Sequence, residues 1–206
     1  MLMVLLTSNG LSSRSLLEEV GKQLPSREKR AAMITTASVG YKDRDWHVPK
    51  LTAQLESLGL SVDCFDLDTQ ESELLKAYDL IEIIGGNPFY LLRQMKCAAC
   101  GDFFRDFAEG KIIVGISAGS IVLQKDIRLV AGFSPELNEE VGLTDLSGLH
   151  LTDVEILPHY HRMLSEIPNL EERTAEYERK HACKVIRLDD GQGILTGRET
   201  SHVLIK

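Results

Sequence analysis

The chain has 206 residues, 43% of them hydrophobic, with 31 acidic against 23 basic side chains and a formal charge of −8. That is enough apolar material to bury a substantial core, and α/β chains of this size often form one unit, so a single α/β domain over residues 1–206 is expected. The acidic balance, without any dense Lys/Arg stripe, argues against a nucleic-acid partner, and no run approaches the roughly 20 apolar residues that span a bilayer.

In chain order, the opening MLMVLLTSNG is apolar for six residues, lacks a basic leader and reads as a first buried strand. SSRSLLEEVGKQL at 12–24 has helical period, AAMITT at 31–36 reads as a strand, and VPKLTAQLESLG at 48–59 places Leu51, Leu55 and Leu58 on one helical face. VDCFDL at 62–67 and LIEIIGG at 80–86 are again strand-like, and Asn87-Pro88 starts a helix. KIIVGI at 111–116 is a further buried strand. This alternation points to βαβ units, with a parallel sheet covered by helices on both faces.

Beyond residue 125 the pattern loosens through IRLVAGF and a polar stretch ending at LNEEVGLTDLSGLH, read as a long loop or short hairpin. VEILP at 154–158 is strand-like, and Asn169 with Glu172 after Pro168 marks a helix start with a side-chain cap. KVIRL at 184–188, GILTG at 193–197 and HVLIK at 202–206 read as three closing strands. Cys64, Cys97, Cys100 and Cys183 are too few for a disulfide framework, which favours the cytoplasm. Cys97 and Cys100 form C-x-x-C, but no second pair follows to complete a zinc site; two small residues on the packed side of one helix is the plain account.

The chemistry concentrates in G-I-S-A-G at 115–119, which matches the G-x-S-x-G nucleophile elbow of strand, sharp turn and helix. The flanking glycines make room for that turn, Ser117 is forced into the open, and the Ala118 amide at the helix start becomes an oxyanion donor. The alternative is that Ser117 only caps the helix. A serine nucleophile needs a base: His159, at the carboxyl end of VEILP, is the leading candidate and His161 its competitor. For the acid that orients the base, LDDG at 188–191 offers Asp189 and Asp190, of which strand alternation points only one at the histidine. A second oxyanion amide is expected at Gly86, where two glycines follow a buried strand.

These motifs in this order, G-G-N, G-x-S-A-G, P-H-[YF] and L-x-[DE]-G, resemble the serine peptidases that include alpha-aspartyl dipeptidase (dipeptidase E) and cyanophycinase, over nearly the whole chain. The resemblance implies a flavodoxin-like three-layer fold related to class I glutamine amidotransferases. By motif it makes Ser117 the nucleophile, His159 the general base, and Gly86 and Ala118 the oxyanion amides. Its third member is a glutamate in L-P-E-G; the matching residue here is Asp190, one methylene shorter, and Asp189 stays in contention. A preference for an acidic N-terminal residue would need a cation, for which Arg162, Arg173, Lys42 and Arg44 are candidates, with Asn87 as a further substrate contact. The expected partner is a small peptide substrate, with no metal or organic cofactor and a monomer or homodimer in solution. The competing readings are an esterase or amidase with the same triad, and an inactive binding member of the fold.

Overall fold

The computed structural model describes residues 2–196 and 202–206, so that Met1 of the opening run and Gly197 of GILTG lie outside the described residues. The apolar runs become strands β1 (Met3–Thr7), β2 (Lys29–Ile34), β3 (Leu60–Phe65), β4 (Leu80–Ile83) and β5 (Ile112–Ile116). They pair in the order β3-β2-β4-β5-β1, all parallel. Beside β1 the sheet continues antiparallel through β8 (Gly193–Thr196) and β9 (His202–Ile205), making seven strands of a mostly parallel, flavodoxin-like sheet.

Side-chain alternation sends successive residues of each strand to opposite faces. Leu5, Met33, Leu80 and Val114 pack on one face under α1 (Arg14–Gln23) and α2 (Val48–Glu56), through Leu16, Val20, Leu51 and Leu55. Leu6, Ile34, Ile83 and Ile113 pack on the other, under α3 (Pro88–Cys97) and α4 (Gly101–Ala108), through Phe89, Leu92, Met95 and Phe104. An ionisable side chain departs from the apolar rule: Glu82, fully buried in β4.

Beyond residue 125 the structure settles what the pattern left open and departs from it at Asn169. IRLVAGF contains a helix, α6 (Arg128–Phe133), whose Leu129 is buried in a third apolar cluster with Leu157, Leu170 and Val185. The VEILP and KVIRL runs become β6 (Glu155–Pro158) and β7 (Val185–Leu188), but they pair with each other in a separate parallel sheet rather than joining the main one. Asn169 does precede α8 (Leu170–His181), yet it is left-handed, with φ 55°, and its side chain caps nothing. The C-x-x-C pair is likewise split: α3 ends at Cys97, which is exposed, while Cys100 is buried ahead of α4.

Candidate active site

The site forms where five strands end. β5 runs into Ser117, which has φ 50° and ψ −111° and leads directly into the short helix α5 (Ala118–Val122). A non-glycine residue at positive φ costs on the order of 1–3 kcal/mol and persists only where its surroundings hold it. Here the hold is visible. Ser117 N–H donates to Thr7 O at 3.0 Å, and the Ser120 hydroxyl of α5 donates to Thr7 O at 2.9 Å while accepting from Thr7 N–H at 3.0 Å. The end of β1 therefore clamps the turn. Glycine is required on both sides: a β-carbon at Gly115 would come within 2.6 Å of Ser120 Cα, and one at Gly119 would overlap the Ile83 carbonyl oxygen. Ser117 heads α5 by position, but its side chain makes no capping hydrogen bond.

The turn after β4 lies against this serine. A β-carbon on Gly85 would sit 3.3 Å from Ser117 Cβ and 3.8 Å from its Oγ. Gly86 has φ 140°, and a side chain there would overlap the Ala37 carbonyl, so only glycine fits. Among the described residues, neither the Gly86 nor the Ala118 amide donates to a protein acceptor. Both residues line a cavity of about 420 Å³ together with Ser117 and His159. No hydrogen bond joins Ser117 Oγ to the imidazole among the described contacts.

His159 follows β6 in a left-handed conformation, φ 56°, and opens α7 (Tyr160–Glu166). The parallel register that sets Pro158 beside Leu188 brings His159 next to the LDDG turn. The two aspartates then diverge. Asp190 Oδ1 lies 2.7 Å from His159 Nδ1, whereas Asp189 Oδ1 receives His161 N–H at 3.0 Å and lies 2.7 Å from His161 Nδ1. His161 is 81% exposed against 15% for His159, and it does not line the cavity.

Ser8, just beyond β1, is a part of the site that the sequence reading did not include. It is fully buried; its hydroxyl donates to Asp190 Oδ1 at 2.6 Å and accepts the His159 backbone N–H at 2.9 Å, with Nδ1 a further 3.2 Å contact. One oxygen thus fixes both the left-handed backbone that presents the imidazole and the carboxylate that faces it. The available signal was modest, a hydroxyl at the carboxyl end of a buried strand in TSNG. Asn9 adds to this shell, its Oδ1 accepting Gly191 N–H at 2.9 Å.

The electrostatics follow from the packing. Burial lowers the His159 pKa below its usual 6.5, and the Asp190 carboxylate opposes this without cancelling it. For Asp190 burial raises the pKa, but the Ser8 hydroxyl and His159 more than offset it and hold the carboxyl below 3.8. At neutral pH the pair is a neutral imidazole beside a carboxylate. With Nδ1 directed at Asp190, Nε2 is the nitrogen left to accept a proton.

Of the substrate-contact candidates, only Arg162 lines the cavity, and it is 60% exposed with its Nε 3.7 Å from Glu166. The Asn87 amide is committed elsewhere: Oδ1 accepts Phe89 and Tyr90 N–H at the start of α3, and Nδ2 donates to Leu137 O. Lys42 is held by Asp66 and Asp68, and Arg44 reaches Gly40 O. Arg173 donates to Gly132 O and stacks on Phe133 in a neighbouring cleft. No group of three or more potential metal ligands occurs among the described residues, and no described helix is long and apolar enough to cross a membrane.

The chain is similar in sequence and in fold to known proteins. The chain is 31% identical over 137 residues to the uncharacterized peptidase Lmo0363 of Listeria monocytogenes, an alignment covering 64% of this chain and 66% of that protein. It is 26% identical over 216 residues to a probable alpha-aspartyl dipeptidase of Drosophila melanogaster, covering 98% of this chain and 85% of the relative. The crystal structure of a proposed peptidase E protein from Listeria monocytogenes EGD-e superimposes with a TM-score of 0.76 at 25% identity, covering 99% of this chain and 98% of that one. A peptidase from an acI-B1 actinobacterium shares the fold, with a TM-score of 0.66 at 18% identity. The profile of peptidase family S51 matches residues 4–204, and the chain belongs to that family.

Proposed function

We propose that this protein hydrolyses dipeptides or short peptides by acyl transfer, with Ser117 as nucleophile, His159 as general base and Asp190 as the orienting acid. The observation that carries the proposal is the shared cavity: the strained Ser117, the Asp190-bound His159, and Gly86 and Ala118 all line one space. In the proposed sequence Nε2 of His159 takes the Ser117 proton as Oγ adds to the peptide carbonyl, forming the C–O bond. The Gly86 and Ala118 amides donate to the oxyanion. The imidazolium then protonates the leaving amine as the C–N bond breaks, and water, activated by the same ring, cleaves the acyl-enzyme. The absent Ser117–His159 hydrogen bond is compatible with this scheme, because such contacts often tighten only with substrate bound.

A fluorophosphonate probe tests the reading: the wild type becomes labelled and Ser117→Ala does not. Folded wild-type protein that resists the probe would refute the proposed nucleophile. Comparing kcat/KM on dipeptides with simple esters then distinguishes a peptidase from an esterase with the same triad.

A further inference from the structure

The cavity beside Ser117 has a composition that bears on which peptide enters it. Beyond the elbow its wall includes α6, α7, the end of β6 and the turn between Ser134 and Leu137, and its apolar lining includes Leu129, Val130, Phe133, Leu157, Met163 and Ile167. Four lining residues carry charge, three acidic (Asp126, Glu136, Glu166) and one basic (Arg162). The charges differ in what they have left to offer. Asp126 is 8% exposed and already accepts Arg128 N–H and Nη1–H, both at 3.0 Å. Glu166 and Arg162 face each other. Among the described residues, the Glu136 carboxylate alone of the three has no ion-pair or side-chain hydrogen-bond partner. An acidic substrate side chain entering this space would lose its hydration, find one already shared cation and meet an excess of carboxylates.

We infer that the cavity selects a peptide whose N-terminal residue has an uncharged apolar side chain and a free amine, the side chain seated on the α6–α7 wall and the α-ammonium facing Glu136. This rests on the peptidase reading above and turns it away from the acidic preference that the family resemblance implied. An apolar side chain gains by leaving water for a wall of Leu, Phe, Met and Ile, and the ammonium meets the one carboxylate that is otherwise uncommitted. Glu136 is thereby a specificity-determining residue.

Binding can be measured apart from catalysis. The full-length Ser117→Ala variant is titrated calorimetrically with Leu-Leu, Phe-Leu, Asp-Leu and N-acetyl-Leu-Leu. Leu-Leu and Phe-Leu should bind about 10²-fold more tightly than Asp-Leu. Adding Glu136→Gln should weaken Leu-Leu by roughly 5-fold, in keeping with an exposed ion pair, and leave N-acetyl-Leu-Leu unchanged. Asp-Leu binding as tightly as Leu-Leu, no Leu-Leu binding at millimolar concentration, or equal weakening of Leu-Leu and its N-acetyl form by Glu136→Gln would each overturn the inference. Labelling of wild-type Ser117 by the fluorophosphonate is the separate readout for hydrolysis. A labelled enzyme that prefers Asp-Leu would retain the proposed mechanism and lose this pocket.

Discussion

Glu82 offers the sharpest test of the energetics, because it is a fully buried acid in the middle of a parallel strand. Its Cα lies in register with Met33 on one side and Val114 on the other, on the face that packs under α1 and α2. Among the described residues, neither carboxylate oxygen has a hydrogen-bond partner. Burial raises its pKa from 4.5 to about 8, so the native state keeps a proton that the unfolded chain has lost across that interval. The folded-state pKa is the higher one, so the stability linked to this proton is complete below pH 4.5 and is lost as pH rises to about 8. At about 1.4 kcal/mol per pH unit, moving from pH 5 to pH 8 removes on the order of 4 kcal/mol, a large share of the ~5–15 kcal/mol of a typical domain. Glu82→Met keeps approximately the volume and removes the titration. Urea unfolding of both proteins at pH 5 and pH 8 should show the variant more stable at each pH, with its advantage growing by about that amount at the higher one. Parallel pH dependences in the two proteins would refute the claim that Glu82 folds in its protonated form.

The acid assignment predicts an asymmetry between neighbours. Asp190→Asn should cost about 10⁴ in kcat by releasing the His159 tautomer, while Asp189→Asn, whose partner is the exposed His161, should stay within a few-fold of wild type on peptide substrates. Ser8→Ala removes the donor to Asp190 and the acceptor of the His159 amide, and a loss of roughly 10- to 100-fold in kcat with little change in KM is expected; a KM effect alone would count against a positioning role. Because burial lowers the His159 pKa, the acid limb of kcat/KM should fall below pH 6.5, and removing the opposing carboxylate in Asp190→Asn should move the residual activity's limb further down. A limb above pH 7 in the wild type would contradict the neutral imidazole described above.

Local pattern was sufficient for much of this protein. The parallel block is legible because strands covered on both faces must be nearly continuous apolar runs, and MVLL, AAMI, LIEI and IIVGI are such runs. The strand–turn–helix at Ser117 is legible because steric overlap at Gly115 and Gly119 leaves glycine as the residue that fits, which turns a backbone constraint into a readable motif. Tertiary pairing decided what local pattern left open. Nothing in VEILP or KVIRL says that the two strands pair with each other outside the main sheet, yet that register sends Asp190 to His159 and Asp189 to His161. Ser8 joins the site across 151 residues of chain, and the cavity wall is assembled from two helices brought together by the third apolar cluster. Glu82 interrupts an otherwise apolar run, and its cost became visible only when both neighbouring strands and the covering helices closed around it. Periodicity and steric exclusion act within a few residues and so are written in the sequence; partnerships between distant side chains depend on which strand ends meet, and that is settled when the chain packs.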